Sequence, residues 1–204
     1  MEHSGEGKST WGTKVSTSAG KFFGWKNRIY GRDNEHSTVY MTRFWIGRLR
    51  LHVFWRGDYD PDWHDHPWGF WTFPLNSYVE EVVIKDYDPA TGMNVPRRII
   101  KQVVPAFRLQ YRPATHTHRV LGKFDGHVTD DFGFTHRVSA RQAADLSSDL
   151  FRFGYDIIGK VVTVVWRGKD ERKWGFLKNR DGRWCWVHWK EYVFRGGKDA
   201  PCSD

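Results

Sequence analysis

Two histidine pairs carry most of the chemistry this chain could do. One lies in His64-Asp65-His66-Pro67-Trp68, the other in Arg112-Pro113-Ala114-Thr115-His116-Thr117-His118-Arg119. Residues at i and i+2 of an extended strand point to one face, so each pair presents two imidazoles together. Neutral imidazole is the commonest transition-metal ligand. His64, His66 and His118 would supply three ligands from two strand-like segments and leave coordination positions open. Spacing does not decide between His116 and His118. Glu80 or Glu81 would add a carboxylate. Glu80 shares a face with Tyr78 and Val82, Glu81 takes the other, and only one can face inward. The cofactor expected is a divalent metal, with Fe(II) ahead of Zn.

Groups suited to holding a substrate lie close by. Arg108, Gln110 and Arg112 alternate onto one strand face, with Phe107, Leu109 and Tyr111 on the other. With Arg119 they suit a carboxylate or phosphate, which a guanidinium meets through two parallel hydrogen bonds. His116, on the face of His118, and His52, on the face of Arg48 and Arg50, extend the substrate-binding set. Tyr78 or Tyr111 would donate a proton or orient oxygen. Trp63, Trp68, Phe70 and Trp71 bracket the first pair and would keep bulk water from a reactive intermediate. His36, His127, His136 and His188 stand alone and read as surface or satisfied core groups. There is no Gly-x-Ser-x-Gly and no Gly-x-Gly-x-x-Gly, and Gly7-Lys8-Ser9 lacks the upstream glycine and strand of a phosphate loop.

These side chains need strands to hold them. Residues 38–56 read as strand. From Arg48 the alternation puts Leu49, Leu51, Val53 and Trp55 on one face against Arg50, His52, Phe54 and Arg56. Turn residues at 57–62 deliver the chain to His64. Residues 69–86 read as two strands broken near Pro74, residues 97–104 and 106–112 as two more, and 157–166 as a β-branched strand. Residues 173–187 form a hairpin turning at 179–182. A short helix is expected over 140–150 with Ser139 as N-cap, inside an insertion spanning about 122–155. Many short strands and little helix predict an all-β sandwich or barrel and exclude a βα alternation. One domain would cover residues 38–195. Residues 1–37, rich in Ser, Gly, Thr and Lys, read as a flexible arm, and residues 196–204 as a frayed polar tail.

Composition bounds the partners. The chain has 204 residues, 12 of them Trp, and a formal net charge of +8. Arg167 to Lys198 holds ten basic residues against four acidic ones, interleaved with Trp174, Trp184, Trp186 and Trp189. Such a surface could stack and hold nucleic acid. Tryptophans two apart on strands are more often core, so a small anionic substrate or ligand is the favoured partner. The expected assembly is a monomer or homodimer. No stretch is apolar and long enough to span a bilayer, and the N-terminus lacks the pattern of a secretory signal. With only Cys185 and Cys202, a disulfide framework is not expected, which points to a reducing cytoplasm.

The order of the site residues resembles the cupin superfamily. A cupin carries His-x-His and a downstream Glu on one strand pair and a further His on a later strand, all turned into a double-stranded β-helix, or jelly-roll barrel. More narrowly, Leu51-His52, His64-Asp65-His66-Pro67-Trp68, Tyr78-Val79-Glu80-Glu81, Arg112-Pro113-Ala114, His118-Arg119-Val120 and the closing run from Trp174-Gly175-Phe176 to Tyr192 are similar to a small cupin-like group of bacterial and phage proteins. The likeness covers about residues 40–192, leaving out the insertion. The usual cupin Glu falls about four residues after the second His, where this chain has Phe70 or Trp71. Either Glu80 replaces it, or the site is three-histidine, as in cupins that resemble thiol dioxygenases. The resemblance implies a metal-binding cupin, foremost a non-haem Fe(II)-dependent dioxygenase acting on a small anionic substrate. Two other roles fit a cupin: binding or sequestering a nucleotide or sugar phosphate, and isomerase or epimerase chemistry pairing His118 with Asp65 or Tyr111. A phage origin would place it in the host cytoplasm.

Overall fold

The computed structural model describes residues 16–19, 23–30 and 38–202. In chain order the strands begin β1 (Ser16–Ala19), β2 (Phe23–Tyr30), β3 (Thr38–Ile46), β4 (Leu49–Phe54) and β5 (Trp63–His64). There follow β6 (Phe70–Pro74), β7 (Tyr78–Asp88), β8 (Met93–Val104), β9 (Gln110–Arg112), β10 (His118–Asp130) and β11 (Thr135–Arg137). Helix α1 (Ala140–Ala144) precedes β12 (Phe151–Asp156), β13 (Val161–Arg167), β14 (Gly175–Arg180), β15 (Arg183–His188) and helix α2 (Trp189–Phe194).

The fold is all-β, as the sequence predicts. Two antiparallel sheets face each other in a jelly-roll barrel, one ordered β1-β2-β3-β4-β13-β6-β9, the other β15-β14-β5-β10-β7-β8 with β11 and β12 beside β10. From β4 onward the chain crosses repeatedly between the sheets, so residues far apart in sequence meet across the interior. The β14–β15 hairpin turns on Asp181 and Gly182, both at positive φ, the backbone a two-residue type I′ turn requires.

Several expectations are corrected. The stretch 122–155 is no separate insertion. The 13-residue strand β10 runs on into it as far as Asp130, and α1 and β12 cover the outer face of the sheet, burying Val79, Leu121, Phe124, Val128, Ala143 and Phe153 together. Ser139 does cap α1 through a capping box with Gln142, but the helix ends at Ala144. The long strand read over 38–56 is two, because Gly47 at positive φ turns the chain between β3 and β4. Of the stretch read as an arm, Phe23–Tyr30 lies as a strand against β3, whose open edge offers it a hydrogen-bonding template. Residues 1–15, 20–22 and 31–37 lie outside the described residues.

The tail after Gly196 is docked up to residue 202. Lys178 Nζ donates to the carbonyls of Gly197, at 2.6 Å, and Ala200. Cys202 forms a disulfide with Cys185, contrary to the expectation of unpaired cysteines, because the tail folds back over the β14–β15 hairpin and brings the two Cα atoms within 5.6 Å. The reason for assigning a reducing compartment therefore falls away. Among the described residues no helix is long and apolar enough to cross a membrane.

Candidate metal centre

His64 ends β5, a two-residue strand held between β10 and β14, with Cα partners His118 on one side and Phe176 on the other. This pairing sets the two histidines side by side on the inner face. The next residue turns outward and pins the run. Asp65, almost fully buried, accepts from Gly175 N–H at 2.8 Å, from Trp186 Nε1–H at 2.9 Å and from Arg172. Gly175 has to be glycine for this approach, since a Cβ there would lie 2.1 Å from the Val187 carbonyl oxygen. His66 then points inward again, its backbone N–H bound to Ala114 O at 3.2 Å.

The rings of His64, His66 and His118 converge. Their centroids lie 5.1–5.3 Å apart, and one nitrogen from each falls within 4.8 Å of the other two. His66 Nε2 and His118 Nε2 are 3.1 Å apart. Two nitrogens each about 2.0–2.1 Å from one ion are separated by roughly 3 Å, so this spacing fits a shared first-row cation.

Glu80 explains why the nitrogens aim as they do. It is fully buried, and its Oε2 lies 2.7 Å from His118 Nδ1. Its Oε1 accepts from Arg112 and from Gln102, both at 2.6 Å. Burial alone would raise the Glu80 carboxyl, but Arg112 and the hydrogen bond from His118 outweigh it and hold it well below the usual range. An ionised carboxylate only accepts, so His118 Nδ1 donates to Glu80 and its Nε2 is the nitrogen turned toward His66. Burial and the neighbouring imidazoles push His66 well below its ordinary 6.5, and burial and His118 do the same to His116. Neutral imidazoles are the form a metal takes.

A second group, Glu80, His116 and His118, is also close enough for a cation. Glu80 already carries the Arg112 guanidinium, which opposes another cation there. The charges therefore favour the His64–His66–His118 set as the candidate metal site. Glu80 orients His118, as metal-ligating histidines are commonly oriented by a carboxylate on the other ring nitrogen.

The centre opens on a cavity of about 630 Å³ between the two sheets. Trp68, Phe70, Val165 and Phe176 form its apolar wall, and His52 and Tyr78 line it as well. Burial and the Glu80 charge raise Tyr78, so its phenol stays protonated.

Other predicted residues lie elsewhere. Tyr111 is exposed and packs on Trp71, outside the cavity. Arg108, Gln110 and Arg112 line a separate pocket of about 280 Å³, and Arg119 is tied to Glu81 and to Asp60 O. The arginine clamp read from alternation thus does not face the histidines. Gln110 and Arg112 do turn inward from β9, but they end on Glu80 and on each other. His116 packs on His118 behind the centre.

The cations that do line the cavity are Arg43, Arg56 and Lys198. Arg43 lies in register with His52 across β3 and β4, a pairing hidden while residues 38–56 read as one strand. Asp58 also lines the cavity, with Oδ2 3.7 Å from His64 Nδ1, and burial and Asp60 push its carboxyl up to about 7. The run Gly57-Asp58-Tyr59-Asp60-Pro61-Asp62 reads in sequence as a turn. It is a loop in the structure as well, and its side chains fix it as a rim. Tyr192 donates to Asp60 and, at 2.9 Å, to Asp62, and Arg180 makes two 2.7 Å bonds to Asp62. No protein-family model matches the chain, and no curated protein matches it.

Proposed function

We propose that the chain is a cupin-type metalloenzyme, a non-haem Fe(II)-dependent dioxygenase that acts on a small anionic molecule inside the barrel. The observation that carries this reading is the convergence of three imidazole nitrogens from His64, His66 and His118 at the wall of a cavity inside the barrel. Iron(II) on three histidines offers further coordination positions for a substrate and O₂.

The chain's own residues supply the rest. Glu80 fixes the His118 tautomer and ring. Arg43, Arg56 and Lys198 attract an anion into the cavity. Trp68, Phe70 and Phe176 exclude water. Tyr78 offers an O–H donor from the wall, and Asp58 holds or releases a proton near neutral pH beside His64.

Protein purified without chelator, analysed by elemental spectrometry and an oxygen electrode, tests the reading. Expected are about one iron per chain, oxygen uptake with some small carboxylates or phosphates, and loss of iron in His64→Ala and His118→Ala but not in His127→Ala or His136→Ala. Full iron occupancy in His118→Ala would remove the ligand set. Zinc or no metal, with tight anion binding and no oxygen uptake, would replace the enzyme with a binding protein.

A further inference from the structure

We infer that the outer face of the seven-stranded sheet is a self-association surface, through which two copies of this chain pair about a two-fold axis. The alternation that turns His52, Thr72 and Thr163 into the cavity turns their neighbours outward, and those neighbours are apolar. One row crosses five strands in register: Ile46 on β3, Leu49 on β4, Trp166 on β13, Trp71 on β6 and Tyr111 on β9. The adjoining row, which starts at Phe44 and runs across β4 and β13 to β6, is apolar at every position. Neither row holds a charge.

These side chains are open in the single chain. Phe44 and the five residues of the first row are each 37–55% exposed. Half-open side chains of this size leave on the order of 100 Å² each. With the half-buried residues of the second row the patch comes to roughly 700–800 Å². The largest apolar patch of a typical monomer is about 300–600 Å². One partner of a standard stable interface contributes about 800 Å².

The composition selects a second copy as the occupant. Flat apolar rows pack on their own image with no complementary charge, in the aligned manner of two stacked sheets. Nucleic acid or a polar ligand would need donors or cations within the patch, and neither row has them. The charges stand at its margin, where Arg48 occupies the β3–β4 turn and Lys160 lies 4.5 Å over the Trp55 ring. An apolar centre with a polar rim is the anatomy of a protein–protein interface.

Light scattering and sedimentation of the full chain between about 1 and 100 μM test this. The expected mass is that of two chains. A Trp71→Lys, Trp166→Lys double variant should raise the dimer dissociation constant at least about a hundredfold, as loss of two central aromatic anchors does. Its far-UV spectrum and metal content should not change, since both residues point away from the cavity. If the lysines unfold the sheet, Ile46→Thr with Leu49→Thr keeps β-compatible residues and should weaken the dimer in the same direction. A single-chain mass across the range would overturn the proposal and leave the face to residues 1–15 or to another protein. A dimer untouched by a folded variant would overturn it too, by placing the contact elsewhere.

Discussion

Glu80 is the residue on which the candidate centre turns, although it is not one of the three converging histidines. Its two oxygens meet His118, Arg112 and Gln102, so it couples the imidazole to a guanidinium through one buried carboxylate. Glu80→Gln keeps the shape and loses the charge. It should weaken metal binding about 10–100-fold, measured by competition with a chromophoric chelator. It should also destabilise the fold by about 3–5 kcal/mol in urea, because Arg112 is left without its counter-charge. Unchanged affinity would remove Glu80 from the metal's support. The histidines set a separate pH dependence. His66 and His116 are held neutral below their ordinary 6.5, so under mild acid the unfolded chain binds protons that the folded chain refuses. Stability of chelator-treated protein should therefore fall as pH drops below about 6.5, by about 1.4 kcal/mol per pH unit for each histidine until its folded value is reached. His116→Asn should remove about half of that slope. Glu80 has the same sign in a lower window: its depressed folded value makes its contribution complete above its ordinary 4.5, and that contribution is lost as pH falls below it. Equal stability at pH 7 and pH 5 would contradict neutral buried imidazoles.

At the scale of elements, the C-terminal hairpin and tail brace the cavity rim. β14 holds β5 in place, α2 brings Tyr192 to Asp60 and Asp62, and the tail brings Lys198 within 3.4 Å of Asp60. The disulfide closes a loop across 17 residues, for which chain entropy gives about 3 kcal/mol. Cys185→Ser with Cys202→Ser, or a reductant, should lower guanidinium stability by about that amount and leave metal content unchanged, since the three histidines are carried by β5, β10 and the residues after β5 rather than by the tail. An identical midpoint with and without reductant would show that the loop is held by other contacts. What was legible in the sequence follows the same division. His64, His66 and His118 could be read because i, i+2 spacing on a strand fixes a face whatever the strand packs against. The alternation of β4 was legible too, and with it the turn of His52 toward the site. The apolar Leu49–Leu51–Val53 face lies outward and His52 lies inward, because the interior here is a lined cavity. The Arg108–Gln110–Arg112 clamp misled for a related reason: register, which a single strand does not reveal, carries Arg112 to Glu80 and leaves Arg108 outside. The disulfide was illegible because only the returning tail makes the cysteines neighbours.

For the molecule as a whole, the barrel keeps its centre open and places its apolar mass around it. One buried cluster lies between β7, β8, β10 and the α1–β12 cover, and another gathers Trp63, Val83 and Leu177 on the outer side of β5. The space between the sheets, about 630 Å³, is lined by histidines, arginines and carboxyls as well as by aromatic rings. Three imidazoles facing one another contribute little to a core and much to a cation. Stability should therefore depend on ligation. A metal at about a hundred times its dissociation constant adds about 2.7 kcal/mol to a fold that binds it only when native. For a domain of this size, about 2–4 °C per kcal/mol turns that into a melting point about 5–10 °C higher. Thermal melts of chelator-treated chain, with and without Fe(II) under anaerobic conditions, should show this rise, and His118→Ala should not. Arg43→Gln should keep the rise given by metal and lose any further rise given by a small carboxylate, because Arg43 lines the cavity without being a ligand. An equal shift in His118→Ala and wild type would mean that the ion acts through carboxylates such as Asp58 and Asp60. In that case the convergence of His64, His66 and His118 would be a packing arrangement without a cation.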